Sequence, residues 1–315
     1  MRVLITGGAG FIGSHLTDRL LARSDEVVVI DNYATGRRDN LPGDAGGLRV
    51  IEGDIADRGL VMSAFEGFRP EVVVHAAASY KDPDDWATDA ATNAVGTANV
   101  VQASQTTDAR RLIYLQTALC YGLHPLEQPI TLDHPLRPGA SSYAISKTAG
   151  EHYVALSGLD WVSFRLANAY GPRNLSGPLP TFYSRLTSNK PCFVMDTRRD
   201  FVFVSDLVDV LAKAVDGSGG TGAYHVSSGR DYAIEQLFTA TTDALGIELD
   251  EPVEVRPKGE DDAYTILLDP ARTEADFDWA AGVPLTDGVA ATIEYYREFG
   301  ITDTYTHLKH EQLRA

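Results

Sequence analysis

Cysteine is nearly absent from this chain: two in 315 residues, Cys120 and Cys192. Two thiols cannot build a disulfide framework or a cysteine-rich metal site, and no metal is expected. Basic residues are scarce too, with 27 Lys and Arg against 44 Asp and Glu and a net charge of −17. Clustered cations gather nucleic acid and anionic membrane, so neither is an expected partner. A phosphate-bearing small molecule stays open, because one helix terminus and a few placed arginines can hold it. No apolar run approaches the ~20 residues that a membrane span requires. Met1 runs almost directly into the strand-like Val3-Leu4-Ile5-Thr6, so no signal peptide is expected and the cytoplasm is the expected location. What remains, 44% apolar and 23% charged, is the composition of an ordinary globular chain long enough to bury a large core.

Short β-branched runs near 2–6, 27–30, 49–52, 72–76, 111–116 and 161–167 alternate with helix-like stretches near 12–23, 57–66, 86–105 and 142–156. The alternation predicts an α/β fold, a Rossmann-type doubly wound parallel sheet with helices on both faces. After about Tyr170 the rhythm changes. Gly171-Pro172, Gly177-Pro178-Leu179-Pro180 and Lys190-Pro191 break the chain into short pieces. A helix near 206–215 and a strand near 223–226 are expected to return to the main sheet. The expected division is a nucleotide-binding domain over 1–170, with return segments near 201–226, and a smaller C-terminal substrate-binding lobe. That lobe takes 171–200 and 227–315, with helices near 233–244 and 286–298. No long linker separates the two, so their shared interface is the expected small-molecule site.

Gly7, Gly10 and Gly13 follow the first strand and open the first helix, in Gly7-Gly8-Ala9-Gly10-Phe11-Ile12-Gly13. Such glycines allow a tight turn and close backbone approach, and the helix N-terminus offers N–H groups to a pyrophosphate. Asp31 ends the second strand about 20 residues on, where a carboxylate accepts both hydroxyls of an adenosine ribose and repels a 2′-phosphate. NAD is therefore expected over NADP, although Arg37 and Arg38 lie close by. Asp54 ends the third strand and can accept from an adenine amino group. His75-Ala76-Ala77-Ala78 ends the fourth, its alanines leaving room for the backbone to lie against the cofactor; His75 itself is expected to be structural. Phe11, Ile12, Asn32, Ile55 and Asn93 complete the expected cofactor set.

Tyr143-Ala144-Ile145-Ser146-Lys147 is the most informative pentapeptide. On a helix Tyr143 and Lys147 stand four apart and share a face. A free phenol ionises near pH ~10, and bringing it to about 7 needs roughly 4 kcal/mol of preferential phenolate stabilisation. A nearby ammonium and the positive ring of an oxidised nicotinamide could supply it. Thr117 follows the fifth strand, at the sheet edge where such folds bind ligands, and its hydroxyl can bond a reacting oxygen.

In this order, the glycine loop, Asp31, the His75 segment, Thr117, Tyr143 with Lys147, Arg165-Leu166-Ala167-Asn168-Ala169-Tyr170-Gly171-Pro172 and Arg199-Asp200-Phe201-Val202-Phe203-Val204-Ser205-Asp206 resemble the extended short-chain dehydrogenase/reductase family. The resemblance is to its NAD-dependent nucleotide-sugar epimerase and dehydratase group, the enzymes related to UDP-galactose 4-epimerase. It implies a nucleotide-diphosphate sugar as substrate, with a UDP-sugar first. Asn168 and Arg199 would hold the diphosphate, Arg256 would be a second phosphate ligand, Phe193 would stack on the base, and Lys81 and Thr117 would line the sugar pocket. Met195-Asp196-Thr197-Arg198 stands where the family has Gly-Asp-Gly, and Lys258-Gly259-Glu260-Asp261-Asp262 departs from its usual wording. Family 4,6-dehydratases carry Asp-Glu directly after the active-site threonine; here Ala118 and Leu119 follow it. The reaction implied is 4-epimerisation through a transient 4-keto sugar. The alternatives are a dehydratase or reductase of the same family, with Cys120 as an unusual base, and a non-catalytic NAD-binding regulatory protein. Retention of the Tyr–Lys pair argues against the last, and Cys120 reads better as a small buried residue. The resemblance also implies a homodimer through the helices near 86–105 and 142–156. The tail after Gly300 has no reading of its own.

Overall fold

The computed structural model describes residues 1–43, 45–139, 141–259, 262–302, 304 and 305. Seven strands form the main sheet: β1 (Arg2–Thr6), β2 (Glu26–Asp31), β3 (Leu48–Glu52), β4 (Val72–His75), β5 (Arg111–Thr117), β6 (Asp160–Leu166) and β7 (Gly222–Val226). They run in the order β3-β2-β1-β4-β5-β6-β7, all parallel. The fold is thus the Rossmann-type sheet that the alternation predicts. The strand order reverses between β1 and β4, and in such sheets ligands bind outside the strands' C-terminal ends at that point.

Alternating side chains feed two cores. Val3, Ile5, Val27, Val29, Val72, Val74, Ile113 and Leu115 enter one. Leu4, Val28, Ile30, Val73, Leu112 and Tyr114 enter the other. Burial on both faces explains why these strands read as unbroken apolar runs. Helices α1 (Phe11–Ala22), α2 (Arg58–Phe68) and α4 (Ser142–Leu156) cover the sheet with α3, a composite over 86–106. Within α3 an α-helical turn (Trp86–Asp89) passes into wide π-type turns (Ala90–Gly96) and back to α-helix (Thr97–Thr106). The sequence pattern alone predicts one regular helix over this stretch.

Beyond β6 the chain builds the smaller lobe from α5 (Pro178–Thr187), α7 (Ile234–Leu245) and α9 (Leu285–Phe299) with two-stranded pairs, while α6 (Val204–Asp216) returns to pack on α1 and α8 (Ala271–Phe277) packs on β7 and α6, its Phe277 in the main-sheet core. The Gly177-Pro178-Leu179-Pro180 stretch, expected to break the chain, instead starts α5. Both prolines sit in its first turn, where a helix N–H has no partner to lose. The lobe has its own core, with Tyr170, Phe182, Phe201, Phe238, Val289 and Tyr296 among its members. Among the described residues no helix is long and apolar enough to cross a membrane. No cluster of three or more potential metal ligands occurs among them either.

Candidate active site

The glycine turn joins β1 to α1 at this end of the sheet. Gly7 has φ +70°, and a Cβ there would lie 2.6 Å from Ala77 N. A Cβ on Gly13 would meet Gly7 O. These two glycines are required by the loop itself. At Gly10 a Cβ would meet only Gly7 O, at 3.2 Å, and otherwise open space. Gly10 is also the N-cap of α1 and provides no side-chain cap, so the first-turn N–H groups of Phe11, Ile12 and Gly13 meet no competing cap.

Asp31 is buried, and its two oxygens accept from Ala9 N and Tyr33 N, each at 2.8 Å. Burial raises its pKa, and the two N–H donors act against that rise. Each carboxylate oxygen keeps a second lone pair for a ligand hydroxyl. Arg37 and Arg38 pair with Asp39 and Glu52, each at 2.6 Å, on the exposed side of the loop. Asn32 donates to Asp54 at 2.9 Å, bringing the ends of β2 and β3 together. Ile55 and Ala56 are held through their carbonyls by Asn99. Ala76 and Ala77 lie against the glycine turn, with Ala76 N on Thr6 O at 3.0 Å. The cradle of small residues, free helix N–H groups and one carboxylate at the second strand end fits a dinucleotide. His75 is fully buried between Thr6 and Thr97 hydroxyls at 2.6 and 2.8 Å, and burial holds its pKa well below the ordinary value, so it is structural.

Thr117 ends β5 and Tyr143 lies in the first turn of α4, whose N-cap Ser141 accepts from Ala144 N at 3.1 Å. Burial is the largest influence on the Tyr143 phenol and pushes its pKa up. Asp89 and Tyr305 push the same way, and the Thr117 hydroxyl beside it pulls it down. The downward shift, expected from the lysine ammonium together with an oxidised nicotinamide ring, is not supplied by the protein alone. Lys147 is buried, its Nζ 4.0 Å from the centre of the Tyr114 ring, and among the described residues no hydrogen bond joins it to Tyr143. Burial lowers its pKa to about 7, with Glu151 opposing. Ala118 is buried, Leu119 is half-buried, and Cys120 is fully enclosed with its thiol pKa pushed up by burial. Asn93, expected to touch the cofactor, uses its amide to join Ser79 N, Ser79 O and Ser146 Oγ at 2.9–3.0 Å, which ties the segment after β4 to α4.

In the smaller lobe, Asn168 is exposed and its amide donates to Asp200 O at 3.2 Å. Arg199 forms an ion pair with Asp262 at 2.5 Å and donates to the carbonyl of Ala263 at 3.0 Å. Strands Phe193–Met195 and Glu254–Arg256 pair in parallel, which lays the Arg256 guanidinium 3.8 Å from the centre of the Phe193 ring. The structure thus brings the expected base-stacking ring and phosphate ligand together. Glu260 and Asp261 lie outside the described residues.

Three residues at the site, Tyr80, Tyr305 and Asp89, are not among those the sequence singles out. Tyr80 packs on Tyr143, ring centres 5.8 Å apart, and shares a 2.7 Å hydrogen bond with Tyr305. Tyr305 belongs to the tail; its backbone pairs with Leu175 and Gly177. Beside it, Lys81 Nζ lies 5.9 Å from the Tyr305 ring, on the exposed rim. Asp89 is buried near Ser79 and Ser142. A tail without periodicity carries no signal for Tyr305, and only burial distinguishes Asp89 from the acidic residues before it.

Comparison with known proteins places these features. Residues 3–227 match the model of the NAD dependent epimerase/dehydratase family. The Bordetella bronchiseptica enzyme WbmH, solved in complex with NAD+, is 54% identical, with 95% of this chain and 99% of that chain covered and a TM-score of 0.92. The enzyme WbmG of the same organism, solved with NAD and UDP, is 47% identical over 98% of this chain and 99% of that one, with a TM-score of 0.91. A UDP-glucose 4-epimerase of Mycolicibacterium smegmatis is 35% identical over 94% of this chain and 99% of its own length.

Proposed function

The chain belongs to the NAD dependent epimerase/dehydratase family, and on that premise we propose that it is an NAD-dependent nucleotide-sugar 4-epimerase of carbohydrate biosynthesis, acting on a UDP-sugar as a homodimer. One observation carries the choice of reaction. Thr117 and Tyr143 meet at the sheet's C-terminal edge, and the next two side chains, Ala118 and Leu119, can neither give nor take a proton. Elimination of water across a sugar ring needs such groups; inversion at a single carbon does not. Cys120, enclosed and with its thiol pKa raised, is no substitute.

The glycine turn, the first turn of α1 and Asp31 would hold NAD, which when bound supplies a reversible hydride acceptor. Tyr143 takes the proton of the C4 hydroxyl and later returns it to the same oxygen, with Thr117 hydrogen-bonding that oxygen. Lys147, one turn along α4, adds positive charge near the phenolate. Asn168, Arg199 and Arg256 hold the diphosphate and Phe193 the base, so that the sugar can turn while its anchor stays fixed. Arg199 would exchange part of its bond to Asp262 for phosphate, a charge-assisted partner of the same kind.

The WbmG complex with UDP supports a uridine nucleotide for this chain. Dimerisation is supported by α3 and α4, which pack side by side and leave Trp86, Val95, Ile145 and Leu156 exposed, Leu156 by 81%.

Proton NMR of the purified protein with a panel of nucleotide sugars tests the reading. A second anomeric doublet growing to a constant ratio is expected, and Tyr143→Phe should slow its appearance by about a thousandfold while NAD stays bound. A keto or deoxy product, or a Tyr143→Phe rate near wild type, overturns it.

A further inference from the structure

Asp89 is the only acidic residue of α3, and it is 1% exposed. Its Oδ1 has no hydrogen-bond partner, and no salt bridge reaches it among the described residues. A buried carboxylate without a counter-ion is costly, and a fold retains one where its charge is used. Its position is closely defined. Asn93 stands four residues on and is fixed against Ser79 and Ser146 by three hydrogen bonds. Asp89 occupies the preceding turn of the same face, next to Ser79 and Ser142. Ser142 is the first residue of α4, and Tyr143 is the second. The carboxylate therefore lies at the positive end of a 15-residue helix, beside the reacting phenol.

We propose that Asp89 is a positioning residue for Tyr143, its fixed negative charge keeping the phenol protonated, and so able to donate to a keto oxygen, until a cation faces it from the cofactor side. The inference rests on the reading of Tyr143 as the acid–base group. In the donating step the phenol O–H bond breaks and the sugar O–H bond forms as the hydride that the bound cofactor would return adds to the keto carbon, leaving the negative charge on Tyr143; in the reverse step the proton returns to Tyr143 as hydride leaves that carbon. A carboxylate behind the ring favours the protonated phenol in both directions. The other titratable groups around Tyr143 give no comparable negative charge. They are Lys147 on its own helix, Tyr80 and Lys81 after β4, Tyr114 on β5 and Tyr305 from the tail, with Thr117 as a neutral donor. Around Asp89 itself stand Asp85 and Asp82, which oppose its ionisation, and the Ser142 and Ser79 hydroxyls, which favour it; burial outweighs them all.

The test reads ionisation directly. Tyrosinate absorbance is titrated against pH in NAD-loaded wild type, Asp89→Asn, Asp89→Ser and Asp89→Glu, with Tyr143→Phe subtracted to isolate the one phenol. Both uncharged variants should move the Tyr143 step to lower pH by about one unit, roughly tenfold in its ionisation constant. Asp89→Glu should stay near wild type. Steps that coincide in wild type and the uncharged variants overturn the proposal, and so does a Glu variant that shifts as Asn does, which would mark a purely structural role. Because turnover is not the readout, a shift in a protein that epimerises no nucleotide sugar upholds the role of Asp89 and removes only the reaction assignment.

Discussion

A lysine inside a core is stable only with its charge reduced or used, and Lys147 is such a residue. Its pKa falls from the ordinary 10.5 to about 7 because burial penalises the ammonium. Below about pH 7 both folded and unfolded chains carry the proton, so the full burial cost is present. Between about 7 and 10.5 only the unfolded chain holds it, and stability rises with pH across that window. Lys147→Met should therefore make nucleotide-free protein more stable than wild type near about pH 6. The gain should be a few kcal/mol, since each tenfold difference in proton affinity is worth about 1.4 kcal/mol, and it should fade towards about pH 10. Thermal unfolding across that range checks it; an advantage independent of pH would contradict the burial account. Tyr143 and Lys147 were legible in the sequence because helical spacing places them on one face. The direction in which the Tyr143 pKa moves was not, because it depends on Asp89, Tyr80 and Tyr305, which no short motif joins to it.

Among the elements, the first turn shows how one motif serves two purposes. Gly7, with φ +70° and Ala77 N in the space of its Cβ, is required by the fold. At Gly10 a Cβ would meet only Gly7 O, at 3.2 Å, so the turn itself constrains this position less. Gly7→Ala should lower the stability of nucleotide-free protein by about 1–3 kcal/mol as well as abolish NAD binding. Gly10→Ala should leave the unfolding temperature nearly unchanged and weaken NAD alone. Denaturation and fluorescence titration of NAD separate the two; equal destabilisation by both would show that Gly10 is structural. The glycine spacing was readable because a strand, a turn and a helix follow one another within the window. Elements beyond Tyr170 were not: Pro178 and Pro180 open α5 because first-turn positions tolerate proline, and propensity alone does not separate that from a break. The π-type turns at Ala90–Gly96 were equally hidden, since they arise where α3 is fitted against α4.

For the whole molecule, the proposed assembly rests on the outer face of α3 and α4. Leu156 and Trp86, 81% and 68% exposed, stand with Val95 and Ile145 on two helices packed together. Leu156→Glu with Ile145→Glu should convert the proposed dimer to monomer, read as a halved mass by light scattering; an unchanged mass would move the interface elsewhere. The sequence by itself determined the parallel sheet, the glycine turn that opens α1 and the places of Thr117 at a strand end and of Tyr143 and Lys147 on one helix, because each rests on local periodicity or on residues within one turn of a helix or strand end. Tertiary structure decided the rest. It carried Tyr305 across 225 residues of sequence to Tyr80, laid Arg256 on Phe193, engaged Arg199 with Asp262 and enclosed Asp89 beside the phenol. Such juxtapositions come from how lobes and helices pack, and burial, which sets the charge of each group, does not exist until they do.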